Sequence, residues 1–228
     1  MRALWARLTA VLRAIVHWRW FWAAVFVACL LPGARILYNA FYGDLGVEPV
    51  KTLLHETGEL ALLMLLLTLA VTPIRRLTGI NQIQKVRRMV GNWSFFYALS
   101  HLSIYLVFDQ LCYSLATCEF RAIWQDVLKR PYITMGMLAF SCLLLLALTS
   151  TNGWMRRLKK NWTRLHRLVY VAAVAAIVHF IWIQKSDISV PLKWALWLGL
   201  LFAIRIVYAV RKRVAAPPAR PLGSVPAN

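Results

Sequence analysis

Apolar residues along this chain come in six long blocks separated by short polar or charged segments. The blocks run roughly over 20–41, 52–72, 90–110, 132–150, 167–184 and 191–209, each close to the ~20 residues a helix needs to cross a bilayer. The pattern predicts an all-α integral membrane protein, a bundle of six transmembrane helices. The first block is interrupted by Pro32-Gly33 and carries Arg35 near its far end. That side chain can snorkel outward or meet an acidic group. Tryptophans gather at or near block ends (Trp20, Trp93, Trp124, Trp162, Trp182, Trp194), as an interfacial aromatic belt requires. From Ala215 the chain is rich in Pro and small residues, the composition of a disordered end. The expected organisation is a basic arm (1–19), one membrane domain (20–213) and a tail (214–228). No internal repeat stands out.

Composition agrees. Of 228 residues, 61% are hydrophobic, and mean hydropathy is +0.60, too apolar for a soluble domain of this size. The formal net charge of +19 would by itself point to nucleic acid or an anionic surface. Its distribution decides. The eight acidic residues (Asp44, Glu48, Glu56, Glu59, Asp109, Glu119, Asp126, Asp187) fall in or beside alternate loops. Basic clusters occupy the others: Arg75 to Arg88, Arg156 to Arg167 and Arg211 to Arg213, with Arg2, Arg7, Arg13 and Arg19 in the arm. This is positive-inside patterning. It predicts both termini in the cytoplasm (N-in, C-in), basic loops on membrane lipid, and no nucleic-acid partner. The first block resembles a signal peptide, but Leu31-Pro32-Gly33-Ala34 is a poor cleavage site. Removal would also place the next basic loop on the wrong side, so a retained anchor is expected.

Cys29 and Cys142 lie inside apolar blocks and read as small core residues. Cys112 and Cys118 share one external loop. They form a disulfide in an oxidising compartment unless Cys112 still lies on the helix end. There is no Cys-x-x-Cys, and no Gly-x-Gly-x-x-Gly after a strand pattern, so no nicotinamide-binding domain is expected on this chain.

The candidate chemistry lies with histidines. His101 and His179 each sit about twelve residues, or roughly 18 Å of rise, from the same end of two helices that run in the same direction. Imidazole is the commonest metal ligand. Two at one level on separate helices can hold one haem iron from opposite faces. His166 precedes His179 by thirteen residues. It is either a ligand of a second, inner haem or an interface histidine between Arg164 and Arg167. On an ideal helix it points roughly 140° away from His179, so a shared stack needs a deviation in the helix. The inner level of the third block offers Arg87 where a partner histidine would fit. At the outer end of the second block, His55, Glu56 and Glu59 are close together. Three readings stay open: Glu56 and Glu59 in a proton or quinone site, His55 as an alternative iron ligand, or a helix-entry pair bonded to Arg35. His17 flanks the first block as an interface residue.

Several motifs carry a family resemblance. One is Arg87-Arg88-Met89-Val90-Gly91 leading to Ala98-Leu99-Ser100-His101-Leu102-Ser103-x-Tyr105. Another is Lys129-Arg130-Pro131-Tyr132-Ile133-Thr134-x-Gly136. A third runs from Leu148-Thr149-Ser150-Thr151 through Trp162, Leu165-His166 and Val169-Tyr170 to His179-Phe180-x-Trp182. Together they resemble the haem-binding membrane subunit family of the bacterial methionine-sulfoxide reductase system (the MsrQ or YedZ family), within the ferric-reductase-like transmembrane group. The resemblance implies an inner-membrane cytochrome b, with iron ligands at positions matching His101, His166 and His179. It implies haem b, one or two, and FMN, for which no motif gives a location. It further implies electron relay from the quinone pool or a cytosolic flavin reductase to a periplasmic molybdopterin-containing methionine-sulfoxide reductase, which repairs oxidised envelope proteins. Catalysis would then sit on the partner, docked at external loops 43–51, 111–131 and 185–191. The alternatives are a haem-containing metalloreductase or oxidase-like electron carrier, or a haem-free proton-coupled transporter.

Overall fold

The computed structural model describes residues 19–43, 45–110, 118–184 and 187–214. Expectations placed on the arm, His17, Asp44, Cys112 and the tail lie outside the described residues. Every regular element among the described residues is helical. The long helices are α1 (Arg19–Tyr42), α2 (Pro49–Thr78) and α3 (Gln84–Ile104), the last continued by a π turn (Tyr105–Asp109). A short α4 (Phe120–Lys129) leads to α5 (Pro131–Leu148). Two brief helices, α6 (Asn152–Leu158) and α7 (Lys160–Leu165), precede α8 (Leu168–Ile183) and α9 (Ser189–Val214).

The ends follow local chemistry. Pro49 and Pro131 occupy first-turn positions of α2 and α5, where a missing N–H costs nothing. α2 stops at Gly79, whose φ of 68° is left-handed and whose N–H returns to the Arg75 carbonyl, a glycine C-cap. Arg75 and Arg76 in its last turn complement the helix dipole.

Five segments are long and apolar enough to cross a bilayer: α1 from Trp20, α2, α5, α7 with α8 (Lys160–Ile183), and α9 as far as Lys212. The remaining block expected from the pattern is α3 with its π turn. Lys85, Arg87, Arg88, Asn92 and His101 make α3 less apolar than the other long helices. Its inner face is nevertheless enclosed, with Val90, Ser94 and Tyr97 buried. Several apolar helices packed in this way make a multi-pass membrane protein.

Two helix pairs, α2 with α3 and α5 with α8, make the most extensive contacts. Their shared core includes Leu65, Leu69, Leu143, Ala172 and Ala173. The small side chains of α8 let backbones approach closely, which is how helices associate in lipid. α1 and α9 lie outside and expose much of their apolar surface.

Two prolines break backbone hydrogen bonding, and side chains repair the ladder nearby. α1 contains Pro32. Beside it the Gly33 N–H donates to the Tyr97 hydroxyl (3.0 Å), which donates to the Cys29 carbonyl (2.5 Å). The hydroxyl is thus inserted between a donor and an acceptor four residues apart, a recognised cause of helix bending. In α2, Pro73 leaves the Leu69 carbonyl without its usual donor. Arg205 of α9 donates to that oxygen, and also to the Tyr170 hydroxyl at 2.9 Å. Unsatisfied backbone groups cost several kcal/mol in lipid, so these side chains fasten the outer helices to the core. Cys29 and Cys142 are buried and free, as expected, and Cys118 is disulfide-bonded.

Tyr97→Phe keeps the ring but leaves a donor and an acceptor apart. It should lower stability by about 1–3 kcal/mol, read as a lower unfolding midpoint of the purified protein in detergent.

Candidate functional site

The paired helices bring His101 of α3 and His179 of α8 together. Their ring centroids stand 6.2 Å apart with planes at 88°. Each imidazole is fixed from behind. His101 Nδ1 lies 2.9 Å from the Leu54 carbonyl of α2, and His179 Nδ1 lies 2.6 Å from the Tyr132 carbonyl of α5. A carbonyl only accepts, so each Nδ1 carries the proton and each Nε2 keeps its lone pair. An oriented, neutral imidazole with a free nitrogen is the form that binds a metal.

A glycine makes each approach possible. A Cβ on Gly58 would fall 3.1 Å from His101 Nδ1, and one on Gly136 would fall 2.9 Å from His179 Nδ1. In a helix Cβ tilts toward the N-terminus. A side chain at Gly58 would therefore cover the Leu54 carbonyl, and one at Gly136 the Tyr132 carbonyl. The two halves use the same device at the same spacing. Leu54 and Tyr132, Gly58 and Gly136, and His101 and His179 are each 78 residues apart. The structure thus corrects the expectation of no internal repeat: α2–α3 and α5–α8 are two copies of one arrangement, facing each other.

The donor set suits a particular kind of metal group. Nitrogens binding one iron from opposite sides at about 2 Å would place ring centroids about 6 Å apart. Among the described residues no group of three or more His, Cys, Asp or Glu side chains could hold a bare ion. Two imidazoles leave such an ion short of ligands, but they complete a metal whose other four come from a macrocycle.

The other candidates stand apart. His166 is a half-buried residue in the turn between α7 and α8, so the helix drawn through it is broken there. Its Nδ1 lies 3.1 Å from the carbonyl of Trp162, on whose ring it stacks at 3.8 Å. His55 pairs loosely with Glu59 at 3.8 Å and meets Phe180 edge-on. Glu56 lines a shallow outer pocket with His55. Arg35 is exposed and makes no ion pair with Glu59 or any other described residue, so the helix-entry pair consists of His55 and Glu59 alone.

Comparison with known proteins bears on this geometry. Residues 57–177, more than half of the chain, match the family described as ferric reductase like transmembrane component. A protein of Rhodospirillum rubrum named protein-methionine-sulfoxide reductase heme-binding subunit MsrQ is 48% identical over 193 residues, covering 83% of this chain and 89% of its own. One of the same name from Xanthomonas axonopodis pv. citri is 45% identical over 187 residues, covering 78% and 81%. The chain belongs to the MsrQ family.

In this MsrQ-family chain the histidines were visible from spacing, whereas their supports were not. Backbone carbonyls have no sequence signature. Only the equal distance from Gly58 to His101 and from Gly136 to His179 was there to be found.

Gly136→Val should push His179 off the Tyr132 carbonyl and leave His101 in place. Imidazole ¹⁵N NMR of the metal-free protein checks this: two Nδ1-protonated rings in the parent, and loss of that signature for His179 alone in the variant.

Proposed function

We propose that this chain is a haem-binding electron-transfer subunit of a methionine-sulfoxide reductase system, with His101 and His179 as the two axial ligands of one b-type haem. The observation that carries this reading is the facing imidazole pair, 6.2 Å between centroids, with both Nδ1 atoms held by carbonyls. When bound, haem supplies reversible one-electron chemistry, and imidazole on both faces favours electron transfer over oxygen binding.

The chain's own residues do the rest. The Leu54 and Tyr132 carbonyls fix ring orientation and strengthen each Nε2 as a donor. Gly58 and Gly136 leave room for the rings. The surrounding apolar helices exclude water, and anchoring from two rigid helix pairs limits movement between oxidation states. His166 and His55 are left out of the axial pair, since His166 bonds the Trp162 carbonyl of its own turn and His55 pairs with Glu59.

Six spans with both termini in the cytoplasm are supported by the block pattern and the alternation of charge, and a bacterial inner membrane by the family resemblance. A periplasmic molybdopterin-containing reductase as acceptor, a quinone or cytosolic flavin reductase as donor, and FMN as a further cofactor are supported by the family resemblance. In that scheme the catalytic site is on the partner.

His101→Ala and His179→Ala should each abolish the b-type absorbance of the purified protein, while immunoblotting still finds the chain in the membrane fraction. A normal haem spectrum in both variants would overturn the axial assignment.

A further inference from the structure

The short helix α4 has three faces, and only one of them meets the bundle. Ile123, Asp126 and Val127 are half-buried against the other helices. Phe120, Trp124 and Leu128 repeat every four residues and remain 62%, 63% and 65% exposed. Arg121, Gln125 and Lys129 form a second exposed line. On a helix the apolar line is turned about 110° from the bundle-facing one and about 100° from the polar one. A helix of this kind rests on protein with one side and divides its remaining surface between an apolar phase and water.

The bundle-facing side fixes the level at which α4 lies. Asp126 accepts from the Tyr105 hydroxyl (3.3 Å) and from Gln110 Nε2 (3.1 Å), and it pairs with Arg130 Nε at 3.4 Å. The Thr134 hydroxyl donates to the Val127 carbonyl. These bonds hold α4 beside the π turn that ends α3 and beside the first turn of α5. The 18 residues of α5 rise about 27 Å, against a hydrocarbon layer of about 30 Å. A span that short has no length to spare, so its first turn lies at the membrane boundary and α4 lies there with it.

The elements that hold α4 also expose apolar side chains, Phe108 on the π turn and Leu138 on α5. In a membrane bundle such side chains face lipid. A soluble protein approaching from water would meet Arg121, Gln125 and Lys129 before the apolar line. We propose that α4 lies in the plane of the membrane interface, with Phe120, Trp124 and Leu128 seated in lipid at the boundary of headgroups and acyl chains. The seat needs no haem, and it leaves only the polar line of α4 for a partner arriving from water.

The test places one nitroxide at a time on the full chain, in nanodiscs of phosphatidylethanolamine and phosphatidylglycerol, through Trp124→Cys or Gln125→Cys. The parent, whose Cys29 and Cys142 are buried, is carried through the same labelling as the background. In the Trp124→Cys chain, EPR relaxation by oxygen, which concentrates in lipid, should exceed relaxation by a water-soluble nickel chelate several-fold. In the Gln125→Cys chain the order should reverse. Equal access of the nickel chelate to both labels refutes the seat and leaves the apolar line to a soluble partner. Shelter of the Trp124→Cys label from both reagents also refutes it, because a second copy or another part of the chain would then cover the line. A second measurement avoids the labelled variants. The emission of the parent minus that of Trp124→Phe isolates Trp124, and most of it should be lost in vesicles of the same lipids brominated in the upper part of their acyl chains. Trp124 emission that brominated lipid leaves unquenched overturns the proposal even if neither labelled chain folds.

Discussion

A neutral imidazole inside a membrane bundle must place its N–H on an acceptor, and most of this structure follows from that requirement. In the bundle interior the acceptors at hand are backbone carbonyls, already engaged in helical bonding. A carbonyl has two lone pairs, so the second is open to a side chain that can reach it. The obstacle is the Cβ of the residue four positions on, which leans over that oxygen. Glycine removes the obstacle at Gly58 and Gly136, at a helix-propensity cost of about 1 kcal/mol each. A lost charge-free hydrogen bond in this setting costs as much or more, so the exchange is favourable. The helix pairs α2–α3 and α5–α8 must then pack closely and in one register. That close packing is what the buried leucines and alanines of the core provide.

The same rule of internal satisfaction governs the periphery. Pro32 and Pro73 disturb the ladders of α1 and α2, and a polar side chain from another helix answers each defect. Tyr97 comes from the core helix α3 to an outer helix. Arg205 comes from an outer helix to the core helix α2. Neither defect would be tolerated on a lipid-facing surface, so each acts as a register mark for helix docking. An arginine spent on a carbonyl and a tyrosine also explains how a cation can sit among apolar helices without a carboxylate partner.

Much of this was legible beforehand. Block boundaries fell within about two residues of α1, α5 and α8, because bilayer thickness constrains helix length and hydropathy reads it directly, whereas α2 and α9 run six and five residues past the ends of their blocks. His101 and His179 were legible because an ionisable side chain deep in an apolar block demands a reason. The break at His166 was foreshadowed by its angular misfit with His179. The internal repeat was not legible. Apart from Gly58 with Gly136 and His101 with His179, the halves are matched mainly by leucines and alanines, which are common in any apolar helix. Its meaning appears only when Leu54 and Tyr132 are seen to accept equivalent bonds, and an accepting carbonyl leaves no trace in residue identity.

That distinction accounts for where the repeat diverges. At the His101–His179 level each imidazole is held by the partner helix, so carbonyl, glycine and histidine are coupled and a change in one displaces another. His166 instead bonds a carbonyl of its own neighbouring turn, four residues earlier. No partner-helix glycine is required for that bond, and nothing ties His166 to the residue opposite. Arg88, 78 residues before His166, can therefore stand where symmetry would place a histidine, bonded to Asn152 and Met155. The arrangement keeps its symmetry where hydrogen bonds cross between the helices of each pair. Where the bond closes locally, as at His166, the two halves are free to carry different side chains.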